Sequence, residues 1–327
     1  MDITDHCIKK QNEILVNGFK NMFASKGYLE VNEVKITSKI DSSVFFVGST
    51  ISVLKPYLLN GNIPEKGLFI VQRAIRTRML KDLYNTSNTS EWSSYFKAMG
   101  ILAEYGKLKD VVWDMRCFFV DILKIPVKYL MIRISSEDRD LMEVCRENCN
   151  NMQVEVDTML PKYYRHKYGL SDVGIYGRNF NIAILDKSSA TFKDVANIIV
   201  IEDDHKQYGI EFATGSSAIL ARLNGYNHTI KSSVIANTIN IHSDNECKLA
   251  DCFSVVVSLI YEGIKPNSSS IHGRILKKYL MGLFYYVDIL KYSLLDIINI
   301  ANQYFKDEYG ICRDDIGTLI ANYYGKW

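Results

Sequence analysis

The chain reads as an α+β protein: an antiparallel sheet with helices interposed, followed by a run of helices. Three observations predict this. Apolar runs rich in β-branched and aromatic residues recur, and FNIAIL (180–185), ANIIVIE (196–202) and QYGIEFA (207–213) follow one another through short links. Helical patterns fall between the other strand-like runs without a regular βαβ rhythm. From about residue 247 the apolar period becomes that of helices.

Taken in order, KQNEILVNGFKNMFASK (10–26) sets Ile14, Leu15, Phe19, Met22 and Phe23 at helical spacing, and Gly27 ends the run. VFFVGSTISVL (44–54) and GLFIVQRAI (67–75) read as strands. The polar stretch DLYNTSNTSEWSS (82–94) separates Arg76 from SYFKAMGIL (94–102), which gives strand, long loop, strand. Residues 108–123 are amphipathic, Pro126 precedes the strand VKYLMIRI (127–134), and EDRDLMEVCRENC (137–149) is helical. The polar stretch NTINIHSDNE (237–246) marks a seam, so one domain is expected over 1–240 and a helical domain over 247–327.

Composition bounds the function. With 327 residues, 47% hydrophobic and 23% charged, the chain is ordinary globular protein. A net charge of +2 gives no global field for nucleic acid or anionic membrane. No apolar run approaches a membrane helix, and MDITDHCIKKQNE is too polar for a signal peptide, so a cytoplasmic protein is expected. Seven scattered cysteines fit free thiols in a reducing compartment. Cys145 and Cys149 lie one helical turn apart with no matching pair, which makes a poor zinc site.

Three stretches could carry chemistry. IVQRAIRTRMLK (70–81) ends a strand with Arg73, Arg76, Arg78 and Lys81. Arg76 and Arg78 share a strand face, and the guanidinium fork suits phosphate; the alternative is a solvated strand end. Tyr95 and Phe96 on the returning strand could add a ring beside those arginines. Glu202, Asp203 and Asp204 emerge from a buried strand and could hold a magnesium ion on phosphates, although such a sequence is more commonly a polar hairpin. EFATGSSAILARL (211–223) places a Gly-Ser-Ser turn, with Gly215 and Ser217, before a helix that carries Arg222. A strand-to-helix turn of small residues is an anion site, and a charged Arg222 on an apolar helix asks for an anion. Together the three stretches spell ATP with magnesium.

The same stretches resemble the catalytic core of class II aminoacyl-tRNA synthetases, and within it the alanyl-tRNA synthetase family. FKNMFASKGY (19–28) is similar to the family's opening helix, VQRAIR (71–76) to Ser-Gln-Arg-Cys-Val-Arg of motif 2, and SYFKAMG (94–100) to its returning strand. GIYGRNFNI (174–182) is similar to Gly-Pro-Cys-Gly-Pro-Cys-Thr-Glu-Ile, and ANIIVIE to Trp-Asn-Ile-Val-Phe-Met-Gln. LADCFSVVVSLIYEGIKPNSSSIHGRILKK (249–278) follows Ala-Asp, Phe-Leu-Ile-x-Asp-Gly-Val-x-Pro-Ser-Asn and Gly-Tyr-Val-Leu-Arg-Arg with one inserted residue.

The resemblance implies a class II synthetase-like antiparallel sheet followed by helices, with ATP and magnesium as cofactors. It implies that Arg76 grips the α-phosphate, Phe96 stacks on adenine, and Glu202 lies at the magnesium edge. Arg222 becomes the motif 3 arginine on the γ-phosphate, beside Gly215 and Ser217, although its spacing departs from Gly-Met-Gly-x-Glu-Arg. The amino-acid pocket falls on Ala98, Gly177, Asn181, Asn197, Glu211, Ala213 and Thr214. That pocket is rebuilt. The family's ammonium-binding aspartate is Ala213 here, the motif 2 glutamate is Lys97, and the pocket methionine falls on Ala98. Glu211 on the same strand face could take over the amine, so alanine is not expected to be preferred.

Residues 246–327 carry nine Lys/Arg and nine Asp/Glu, a poor electrostatic match to RNA. The chain ends about where the family's tRNA-recognising helices are half complete. The expectation is an ATP-dependent ligase that forms an aminoacyl adenylate and passes it to a carrier protein or small amine. A tRNA acceptor is the close alternative, and a catalytically silent paralogue acting as a binding module is the rival.

Overall fold

The computed structural model describes residues 3–77, 79–85, 89–167 and 174–326. Among the described residues, nine strands form one sheet in the order β1-β2-β3-β9-β8-β7-β4-β5, with β6 pairing on β7. The strands are β1 (Leu29–Glu30), β2 (Leu68–Ile75), β3 (Tyr95–Ala103), β4 (Leu130–Ile134), β5 (Gln153–Val156), β6 (Arg165–His166), β7 (Tyr176–Leu185), β8 (Phe192–Glu202) and β9 (Gln207–Gly215). All pairings are antiparallel except β1 with β2 and β4 with β5. This is the α+β sheet that the sequence predicts.

The first helix, α1 (Ile8–Ser25), covers one sheet face because its apolar stripe of Leu15, Phe19, Met22 and Phe23 is fully or almost fully buried there. Phe19 and Phe23 meet Phe212 of β9 and Phe118, which follows α3 (Leu108–Cys117), with ring centroids 5.4–6.4 Å apart. Gly27, at φ +88°, turns the chain out of the helix where other residues are strained.

One expectation is corrected. Residues 44–54 are not a strand: the chain is irregular to Ser49 and then enters α2 (Ile51–Leu59). Ile51, Leu54 and Leu58 recur at i, i+3 and i+7 and are all buried, so the run carries a helical stripe inside an apolar segment. Only Val47 behaves like a strand residue, bonding to the backbone of Ile36 and Ile75. α2 rests on the second sheet face at Gly100, where an added Cβ would meet Thr50 Oγ1 at 2.6 Å.

The remaining helices are α4 (Arg139–Asn148), α5 (Ser216–Asn224), α6 (Asp244–Tyr261), α7 (Ile271–Leu290), α8 (Leu294–Tyr309) and α9 (Ile316–Ala321). Capping boxes start α6 (Ser243 with Glu246) and α8 (Ser293 with Asp296), each satisfying N–H groups that a helix start leaves open. Phe46, Ile75, Leu83 and Tyr95 lie in the same apolar cluster as α6–α9. All seven cysteines are free. Among the described residues no helix is long and apolar enough to cross a membrane.

A buried carboxyl ties α6 to the sheet. Asp251 accepts from the backbone N–H of Ser94 at 2.6 Å through Oδ1, while its buried Oδ2 has no partner. Burial raises its pKa to about 6. The folded chain therefore keeps a proton that the unfolded chain loses near pH 4, so stability falls as the pH rises from about 4 to 6. Asp251→Asn is expected to gain on the wild type by roughly 3 kcal/mol between pH 4 and pH 7. Urea unfolding of both proteins across that range measures it, and parallel pH profiles would remove the assignment.

Candidate active site

On the face that α2 covers in part, strand register builds a single row: Gly100, Ala213, Asn197, Asn181, Arg133 and Glu155, each paired with the next. Period-2 alternation puts these side chains on one side. A break in register between Ile182 and Ala183 lets Asp194 join them, because a bulge re-aims a side chain that strict alternation would turn away. Asp194 is held by Arg133 at 2.6 Å, by Asn181 at 3.2 Å and by the Tyr163 hydroxyl. Burial, aided by Asp194, pushes the Tyr163 phenol above its usual range, so it donates to that carboxylate.

Two adjoining cavities open over this row. The first, of about 250 Å³, is bounded by Phe96, Trp92 and Ser93 on one side and by Gly215, Ser217 and Ala218 on the other. Ala98, Asn181, Asn197, Ala213 and Thr214 form its floor. The second, of about 570 Å³, runs from Glu211 to Phe45, Phe46 and Ile275. Ser49, Arg76, Asn197 and Ala213 line both.

Arg76 is exposed at the end of β2, where its Nε donates to the Gly48 carbonyl at 2.6 Å and its guanidinium lies 5.3 Å from the Phe96 ring. Glu211 is buried, and its Oε1 accepts from Thr50 Oγ1 at 2.9 Å. Thr214 is fixed through its hydroxyl to the Val195 carbonyl at 2.9 Å. Gly215 approaches the Phe96 ring, since an added Cβ would lie 3.5 Å from it. An aromatic wall, an exposed guanidinium and a small-residue turn can together receive a ring bearing a phosphate.

Other sequence candidates sit elsewhere. Arg222 lines neither cavity. It is fully buried, paired with Glu91 and, at 3.4 Å, with Asp186, and its Nη1 donates to the Tyr226 carbonyl at 3.5 Å. The anion that a buried arginine demands is thus supplied by the chain itself. Despite its burial, Asp186 is held below the usual carboxylate range by hydrogen bonds from Ser188 and Ser189.

Glu202 is likewise taken: both oxygens bind Arg178, which also bridges Asp138 and Asp140. It lies five residues along β8 from Asn197, away from both cavities. Gly177 is buried in the pairing of β7 with His166 and Ile201 and lines neither cavity. Asp203 closes a turn by accepting from His205 and Lys206, the polar-hairpin reading of that stretch. Arg78 lies outside the described residues.

Sequence reasoning missed Asp194, for which a bulge leaves no signal. It also missed Trp92, the sole apolar residue between 85 and 94, and Ser49, which lay inside the supposed strand.

No family model matches the chain. Over 129 residues it is 29% identical to an alanine–tRNA ligase of Acetivibrio thermocellus, covering 38% of this chain and 14% of that protein. Over 121 residues it is 31% identical to the alanine–tRNA ligase of Ureaplasma parvum, covering 36% of this chain and 13% of that one. The match spans about one seventh of these relatives' length. Among solved structures, apo histidyl-tRNA synthetase from Staphylococcus aureus is similar at a TM-score of 0.46 and 12% identity, over 66% of this chain and 70% of that one.

Proposed function

We propose, from the premise that this chain is class II synthetase-like and alanyl-tRNA synthetase-related over part of its length, that it activates an amino acid with ATP to an aminoacyl adenylate. The observation that carries this reading is Arg76, which lines both cavities where they join. A nucleotide in the first cavity, with its base against Phe96, presents its α-phosphate at that seam. An amino acid in the second presents its carboxylate to the same point.

The reaction follows from this arrangement. A carboxylate oxygen attacks the α-phosphorus, an O–P bond forms, and pyrophosphate leaves with the bond's electron pair. No proton moves, because the carboxylate is already ionised at neutral pH. Arg76 meets the charge that develops on the α-phosphate oxygens.

The relatives' kind of chemistry calls for magnesium, but the residues here do not fit a protein cage for it. Glu202 is committed to Arg178, and among the described residues no group of three His, Cys, Asp or Glu could hold a metal.

The aminoacyl group is passed on. The balanced charge of residues 246–327 favours a carrier-protein thiol or small amine, while kinship with tRNA ligases favours a tRNA 3′ end. Transfer of labelled substrate to tRNA or to candidate carriers decides between them. The activation itself is tested by ATP–pyrophosphate exchange across α-, β- and non-protein amino acids. Exchange dependent on at least one of them is expected; a blank across the panel would end the reading.

A further inference from the structure

We infer that Glu308, in the last turn of α8, is a positioning residue for the proposed nucleotide site. It holds Tyr95 and Lys97 from behind, so that Phe96 between them faces the first cavity. The inference rests on the proposed activation for what Phe96 receives, and its own support lies in the contacts behind β3.

α8 ends against local preference. Asp307 and Glu308 put two carboxylates in its last turn, where the helix dipole favours cations, and Gly310 at φ +69° closes the helix. The cations that meet them come from elsewhere in the chain. Lys9 of α1 binds Asp307 at 2.8 Å, and Lys97 of β3 binds Glu308 at 3.0 Å. The Glu308 side chain is 2% exposed, and its Oε1 also accepts from the Tyr95 hydroxyl at 2.7 Å. The next residue, Tyr309, lays its ring 4.3 Å from the Arg73 guanidinium of β2. Three successive residues thus reach α1, β3 and β2.

The charge on Glu308 has a specific task. Register sets Lys97 directly opposite Arg73, and like charges facing across a strand pair repel. Arg73 is met by Glu33 at 2.6 Å, and Lys97 by Glu308. Strand alternation sends Tyr95 and Lys97 to one side and Phe96 and Ala98 to the other, where both line the first cavity. There the Phe96 ring approaches Arg76 and Gly215. Without the charge of Glu308, Lys97 is left against Arg73, and the strand end that carries Phe96 is no longer held.

Glu308→Gln keeps the length of the side chain and an acceptor for Tyr95 while removing the charge. It is expected to weaken ATP binding by about tenfold in calorimetry, part of what an aromatic ring contributes to holding a base. Phe96→Ala alone should weaken binding at least as much. Glu308→Gln added to Phe96→Ala should cost nothing more, because it acts through that ring. Amide hydrogen exchange in Glu308→Gln should show protection lost over residues 95–98, with β7, β8 and β9 as protected as in the wild type.

Unchanged ATP affinity in Glu308→Gln, additive losses in the double variant, or protection that is unchanged over 95–98 or lost throughout the chain overturns the inference. A wild type that binds no ATP would sink the activation reading instead. Local loss of protection over 95–98 would then still bear out the hold of Glu308 on β3, and its absence would overturn it.

Discussion

Arg222→Met is expected to destabilise the fold by about 3–5 kcal/mol, the cost of breaking a buried ion pair by removing one partner. The guanidinium is fully buried, and methionine fills much of its volume, so the loss is electrostatic. It leaves Asp186, which is wholly buried, and Glu91 with less countercharge. Lys193, 3.2 Å from Glu91, compensates only that side.

The damage has a direction. Glu91 begins the segment that carries Trp92 and Ser93 into the first cavity, and Thr229 holds the same segment through the Glu91 carbonyl at 2.9 Å and the Ser93 N–H at 2.8 Å. Arg222→Lys keeps the charge and loses the fork, so it should fall between the two. Urea unfolding measures the series. A methionine variant as stable as the wild type but unable to bind ATP would return Arg222 to a phosphate role.

Arg76→Ala should lower exchange by about 100- to 1,000-fold, the usual cost of removing one preorganised donor from developing charge. Stability should change by no more than about 0.5 kcal/mol, because the Arg76 side chain is exposed. Arg76→Lys restores a charge without the planar fork and should recover only part of the rate. Exchange kinetics and urea unfolding on one preparation separate the two effects. Full activity in Arg76→Ala would remove the seam as the reaction centre.

The fold was legible where the apolar period was clean. β7, β8 and β9 alternate or run apolar as strands do, and α1 shows its buried stripe in the sequence. Residues 44–54 misled because their β-branched and aromatic content outweighed the i, i+3, i+7 spacing of Ile51, Leu54 and Leu58, which packing against the sheet then decided.

Candidate residues near one another on neighbouring strands come together: Arg76, Phe96, Ala98, Asn181, Asn197, Ala213, Thr214, Gly215 and Ser217 line the first cavity. Residues whose partners lie far away in the chain do not. Arg222 is met by Glu91, 131 positions distant, and Glu202 by Arg178 across a strand pair. No local pattern announces either ion pair, so each charged residue looked available to a ligand.

Phe46, Ile75, Leu83 and Tyr95 share one apolar cluster with α6–α9, and this bears on cooperativity. Melting the helices alone would wet side chains of Phe and Leu size, each worth about 1.5–3 kcal/mol when fully buried. Helices and sheet therefore gain little by unfolding separately. Phe46 belongs to that cluster and also walls the second cavity. Whatever settles between Glu211 and Phe46 raises the melting point of the whole chain rather than that of one lobe.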